Sequence, residues 1–109
     1  MKNLARITEI IKIEPFKITC RWTTGEIRVS DFKDDFEKWE KTNNKDLLKL
    51  KNYANFENVN PKDGTLQWNS ILISYRGLDG KKQKQALAID PDTLYKQSKS
   101  ISLYKLVLN

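Results

Sequence analysis

The chain has 109 residues, 39% apolar and 31% charged, with a net charge of +6. It is too short for two independent cores, too apolar to stay disordered, and biased toward acidic partners. It holds no histidine and one cysteine, which removes the usual general base, the Ser/His and Cys/His nucleophile pairs, an internal disulfide and, in effect, a zinc site.

The opening segment MKNLARITEIIKIE is interrupted by glutamates and is not expected to act as a signal peptide. Within it, Ala5, Ile7, Ile11 and Ile13 share one parity, the pattern of a strand that ends at Pro15. Lys17 to Trp22 alternates, with Ile18, Cys20 and Trp22 on one face, and Thr24-Gly25 supplies a turn into a returning strand at Ile27 and Val29. The period changes at Ser30-Asp31: Phe32, Phe36 and Trp39 form a helical stripe, with Asp31 as its expected N-cap. The carboxylates Asp31, Asp34, Asp35, Glu37 and Glu40 are explained by capping and by solvated charge among Lys33, Lys38 and Lys41, so no metal or other cofactor is implied. A second short helix is expected after Asp46, with Leu47, Leu50 and Ala54 on one face and Tyr53 and Phe56 closing it onto the sheet.

Asn60-Pro61-Lys62-Asp63-Gly64 reads as a turn cluster, and Thr65-Leu66-Gln67-Trp68 as a strand after it. The phase slips at Asn69-Ser70, which predicts a bulge, before Ile71, Ile73 and Tyr75 continue on one face. Asp79-Gly80 makes a further hairpin turn, and Leu87 and Ile89 return. Asp90-Pro91 starts a helix running through Leu94 and Tyr95 towards Ser98. Trp22, Trp39 and Trp68 fall on apolar faces and are assigned to the core, as is Cys20, an inert buried thiol. Residues 1–100 thus read as a single α+β domain, a small antiparallel sheet of hairpins with two or three short helices. Residues 101–109, ISLYKLVLN, read as an apolar strand that either joins the domain's own sheet or docks on a partner, a second copy of the chain included.

The order of these features resembles a small bacterial family, domain of unknown function 2442. The likeness rests on Gly64-Thr65-Leu66-Gln67-Trp68 and on Asp90-Pro91 followed by Leu94-Tyr95, and spans about residues 5 to 98. The resemblance implies an α+β domain without established enzymatic chemistry, found alone, beside a DNA-binding helix-turn-helix, or near small toxin-like genes. It therefore implies regulatory or antitoxin-like partnering and offers no catalytic residues. The lysine-rich hairpin and the apolar tail depart from the family's pattern.

Those departures carry the functional expectation. Residues 1–75 hold thirteen basic and eleven acidic side chains, whereas residues 76–109 hold seven and three, so the last third dominates the long-range field. Arg76, Lys81, Lys82 and Lys84 surround the Asp79-Gly80 turn, with Lys82 and Lys84 on one side, Tyr75 as a neighbouring ring, and Lys96 and Lys99 extending the patch. The solvated-tip reading stands beside this one, since lysines on a hairpin also deter edge-to-edge pairing. Two functions are compatible with these features. One is a non-catalytic cytoplasmic module that occupies a protein or nucleoprotein, as an antitoxin or as an inhibitor of an RNA-guided CRISPR nuclease. It would use the basic hairpin and the apolar residues Leu103, Val107 and Leu108. The other is direct, charge-driven nucleic-acid binding without base specificity. No stretch approaches the ~18 apolar residues of a membrane span, so no membrane partner is expected.

Overall fold

The computed structural model describes residues 4–102. In chain order its elements are β1 (Ile7–Glu14), β2 (Lys17–Trp22), β3 (Ile27–Asp31), α1 (Lys33–Lys41), α2 (Lys45–Leu48), a 3-10 turn (Lys49–Lys51), α3 (Tyr53–Phe56), β4 (Val59–Lys62), β5 (Thr65–Arg76), β6 (Lys82–Ala88), α4 (Pro91–Gln97) and β7 (Lys99–Ser100). The fold is α+β, as expected, but the strands form two antiparallel sheets rather than one. Their orders are β1-β2-β3-β7 and β4-β5-β6.

In the four-stranded sheet, Ile18, Cys20 and Trp22 point inward and are buried, as the alternation predicts. Gly25 sits at φ +87° in the β2–β3 turn, a conformation that costs glycine little. The expected face of β1 is corrected. Two irregularities interrupt its register with β2, between Ile7 and Glu9 and between Ile10 and Lys12. Each extra residue reverses the facing of the side chains after it, so Ile11 is 45% exposed while Ile10 packs against the core.

The turn expected over residues 60–64 is narrower in the structure. Val59–Lys62 pairs with Thr65–Trp68 as strand β4, and only Asp63 and Gly64 turn, at φ +53° and +80°. Two consecutive positive φ values suit the twist of a two-residue hairpin. Pro61 is tolerated because β4 is an edge strand and its missing N–H interrupts no second ladder. The bulge foreseen at Asn69-Ser70 is present: the register with β6 jumps between Trp68 and Leu72.

Helices α1 to α4 are short. Phe32 rather than Asp31 occupies the N-cap position of α1, and Asp31 instead accepts the Lys33 N–H at 3.1 Å. The single helix expected after Asp46 is broken. Asn52, with ψ 114°, ends the 3-10 turn and restarts a helix by accepting the Ala54 N–H at 3.0 Å. Leu50 is buried as expected, but the break leaves Ala54 exposed. At α4, Asp90 accepts from the Thr93 N–H at 2.9 Å and Pro91 takes the first turn. Those hydrogen bonds hold the Asp90 carboxyl below its ordinary value.

Aromatic rings fill the space between sheets and helices. Phe16 meets Phe36, Tyr53 and Phe56 edge-on at centroid distances of 5.2, 6.0 and 5.5 Å. Those contacts hold it at φ +64°, unusual for a bulky residue. Trp68 is fully buried and donates its indole N–H to the Phe56 carbonyl at 2.9 Å. Burial pushes the Cys20 thiol up to about 12, so it carries no thiolate near neutrality. The two sheets are also tied through the backbone: the Ile7 N–H donates to the Gly64 carbonyl at 2.7 Å. A Cβ at Gly64 would stand 2.7 Å from Arg6 Cδ, so that tie requires glycine.

After β7, Ile101 and Ser102 are helical rather than extended. Leu103, Val107 and Leu108, the residues expected to dock on a partner, lie outside the described residues.

Candidate functional site: a cationic hairpin and a groove beside it

Beyond the bulge, β5 and β6 run on together as a long hairpin. Directly opposed residues share a face of an antiparallel pair. The register sets Leu72 against Ala86, Ser74 against Lys84, and Arg76 against Lys82. Arg76, Lys82 and Lys84 therefore stand on one face, with Lys81 at the tip. Tyr75 faces the other way, opposite Gln83, to which its hydroxyl donates at 2.7 Å. The expected ring beside the lysines is thus on the opposite side of the ribbon.

The tip is held by its own backbone. The Gly77 N–H donates to Lys81 O and the Gly80 N–H to Gly77 O, both at 2.9 Å, while Asp79 accepts from the Lys81 N–H at 3.0 Å. Asp79 is thereby committed to shaping the turn. Among the described residues, none of Arg76, Lys81, Lys82 or Lys84 has a carboxylate within ion-pair distance, although Arg6, Arg21 and Arg28 all do. Arg76 facing Lys82 sets like charges across the ladder, an arrangement that destabilises an isolated ribbon and is relieved by an anion between them. Leu72 and Leu78 are also exposed, at 54% and 112%.

Lys96 and Lys99 do not belong to this face. Lys99 lies on β7, at the edge of the four-stranded sheet. Lys96 lies on α4, beside a groove of about 400 Å³ between α1 and α4. Phe32, Trp39, Ile89 and Leu94 supply the groove's apolar lining, and Asp35, Lys38, Thr93 and Gln97 its other polar lining. Gln97 donates through Nε2 to the Asp31 carbonyl and to Asp35 Oδ2, both at 2.8 Å, which fixes which end of its amide is nitrogen. Its carbonyl oxygen is then buried without a partner among the described residues. Burial raises the Asp35 carboxyl above its usual value, against the lowering effect of the Gln97 hydrogen bond. Trp39, assigned from its helical stripe to the core, is only half-buried and forms part of this wall.

A third polar cluster is structural. The Arg28 guanidinium lies 4.1 Å from the Tyr95 ring centroid and donates to Ser98 Oγ, Ser98 O and Glu26 at 2.7, 2.7 and 2.8 Å. The Tyr95 hydroxyl also donates to Glu26, and that bond, with help from Thr24 and Arg28, holds the Glu26 carboxyl below its ordinary value. These contacts clamp the end of α4 onto β3. Among the described residues no helix is long and apolar enough to cross a membrane, and no group of three metal-ligating side chains assembles. No family model, curated protein or solved structure matches the chain.

Proposed function

We propose that the chain is a non-catalytic binding module that occupies a protein or nucleoprotein partner, with the β5–β6 hairpin as the contacting arm. The observation that carries this reading is the cationic face of Arg76, Lys82 and Lys84, with Lys81 at its tip and no carboxylate among the described residues to neutralise it. Such a face is complementary to acidic side chains or phosphates. The exposed Leu72 and Leu78 favour a partner that includes protein, since apolar groups gain little against a bare phosphate backbone. An antitoxin-like module, or one that blocks an RNA-guided CRISPR nuclease, fits this description and agrees with the resemblance to domain of unknown function 2442. A second reading, direct charge-driven nucleic-acid binding, is favoured by the opposition of Arg76 and Lys82, which an intervening phosphate would relieve.

The test is an affinity pull-down from the host, with and without nuclease, using the wild type and the variant R76E/K82E/K84E. A specific protein retained through nuclease treatment and lost with the variant supports the module. Nucleic acid recovered alone supports the second reading, which further requires a log–log salt slope near −3 for about four phosphate contacts. Equal recovery by wild type and variant would sink both.

A further inference from the structure

The outer hairpin offers a backbone as well as a charged face. The Gly77 N–H donates to Lys81 O at 2.9 Å, so Gly77 and Lys81 form a hydrogen-bonded pair at the tip. Bonded and unbonded pairs alternate along an antiparallel ladder, and a residue in an unbonded pair turns its N–H and C=O away from the neighbouring strand. Counted from the tip, the unbonded pairs are Arg76–Lys82, Ser74–Lys84 and Leu72–Ala86. Among the described residues β6 is an outermost strand of its sheet. The N–H and C=O groups of Lys82, Lys84 and Ala86 thus face an open edge, and every residue from Lys81 to Gln85 is exposed. The same three residues put their side chains on the face that carries the cations. An open strand edge is a template on which another strand can pair.

Charge decides which strand fits. A second copy of β6 would set lysine against lysine, which is destabilising. Residues 101–109 contain a lysine and no acidic side chain, so they too leave Lys82 and Lys84 unanswered. A strand added antiparallel, the more stable orientation, sets residues directly opposite Ala86, Lys84 and Lys82 in that order, with one residue facing away between each. Acidic side chains answer the two lysines. Ala86 is small and half-buried, and lies across the ladder from Leu72, which is 54% exposed. A large apolar side chain opposite Ala86 passes over the alanine and covers that leucine. We propose that β6 takes up an extended acidic segment of a partner protein as an added strand, with the pattern apolar-x-acidic-x-acidic from its N-terminal to its C-terminal end. The other edge of the ribbon is a poorer template: β4 ends its pairing with β5 at Trp68, and beyond it β5 presents Ser74 and Arg76, one cation in place of two. The inference rests on the hairpin being the contacting arm and names the chemistry that the arm contacts.

The test uses the full chain, isotope-labelled for NMR, and the end-blocked peptide TLTETET. The expected result is saturable shifts, with slower hydrogen exchange at the amides of Lys82, Lys84 and Ala86 and no change in exchange at Ser74 and Arg76. N-methylation of both glutamates removes donors aimed at β6 and should weaken binding by roughly tenfold or more. N-methylation of the two threonines that precede the glutamates, whose N–H groups point away, should change it by no more than about twofold. The reversed peptide TETETLT should bind several-fold more weakly. K82E/K84E alters two exposed side chains and should stay folded; it should reject TLTETET and accept TLTKTKT. Equal loss from the two N-methylated peptides overturns the proposal, as does equal binding of TETETLT, protection of Ser74 and Arg76 in place of the β6 amides, or no saturable binding at about 5 mM peptide. A uridine heptanucleotide that displaces TLTETET at a lower concentration than the peptide's own also overturns it and assigns the edge to nucleic acid. If the peptides fail while R76E/K82E/K84E still loses its partner in the pull-down, the added strand falls and the arm stands; equal recovery in that pull-down removes the arm itself.

Discussion

The four-stranded sheet and the outer hairpin use the same residue types to opposite ends. Around the sheet, each described arginine has an acidic partner: Arg6 with Asp92 at 3.0 Å, Arg21 with Glu9 and Arg28 with Glu26, both at 2.8 Å. The hairpin instead places Arg76 against Lys82 and leaves Lys81, Lys82 and Lys84 without a carboxylate among the described residues. In the sheet, Ile18, Cys20 and Trp22 are enclosed; on the hairpin, Leu72 and Leu78 meet solvent. The sheet's arginines are paired and the arm's cations are not, and on the function proposed above that contrast separates stability from recognition.

That division has measurable edges. The largest effect is expected at Trp68, beneath the root of the hairpin. Trp68→Ala opens a cavity and orphans the Phe56 carbonyl, and should cost about 3–5 kcal/mol in denaturant unfolding. Arg28→Ala should cost about 2–3 kcal/mol, because it frees the buried acceptors of Ser98 and breaks the ion pair with the half-exposed Glu26. Arg28→Lys should recover little of this, since an ammonium cannot span the same fork.

Acid titration gives smaller shifts of opposite sign. Glu26 titrates lower in the folded chain than its ordinary 4.5. Its contribution is therefore complete above that value and lost as pH falls through the folded one, and Glu26→Gln should flatten the acid limb of a melting-temperature profile. Asp35 is raised above 3.8, so its charged form burdens the native state once pH exceeds the folded value. Asp35→Asn should raise the melting temperature at neutral pH, with the gain vanishing below 3.8; a loss at neutral pH would contradict that assignment. The smallest stability effect is expected from R76E/K82E/K84E, within about 0.5 kcal/mol. If that variant unfolded the chain, the separation of arm from body would fail.

Much of the body was legible because its signals are local. The alternation of Ile18, Cys20 and Trp22, the positive-φ glycine at 25 and the Asp90-Pro91 cap each act within a few residues. Where local signals were ambiguous, the reading slipped. The run Ile10-Ile11 fits either parity, and only the bulges against β2 decide which side chain is inside. Pro61 looked like turn chemistry because proline is rare in sheets, yet an edge strand tolerates it. The split into two sheets and the groove were not legible at all. Gln97 reaches Asp35 across 62 positions, and no periodicity announces a partner that distant. The hairpin's lysine face was readable from parity, and the same alternation already sets Tyr75, the neighbour of Arg76, on the opposite face.

The bulge between Trp68 and Leu72 also shapes how this chain can change over generations. Trp68 and Leu87 close the enclosed part of the sheet, and pairing restarts afresh at Leu72 and Ala86. Ile73 still packs against the core, but strand length beyond it is free of the core's demands. Removing one residue from each arm just beyond Ile73 and Gln85 preserves pairing but turns the remaining charges to the opposite face; removing two from each restores it. Descendants could thus lengthen, shorten or invert the charged arm in discrete steps while the same body folds beneath it, and new partners could be sampled without renegotiating the fold.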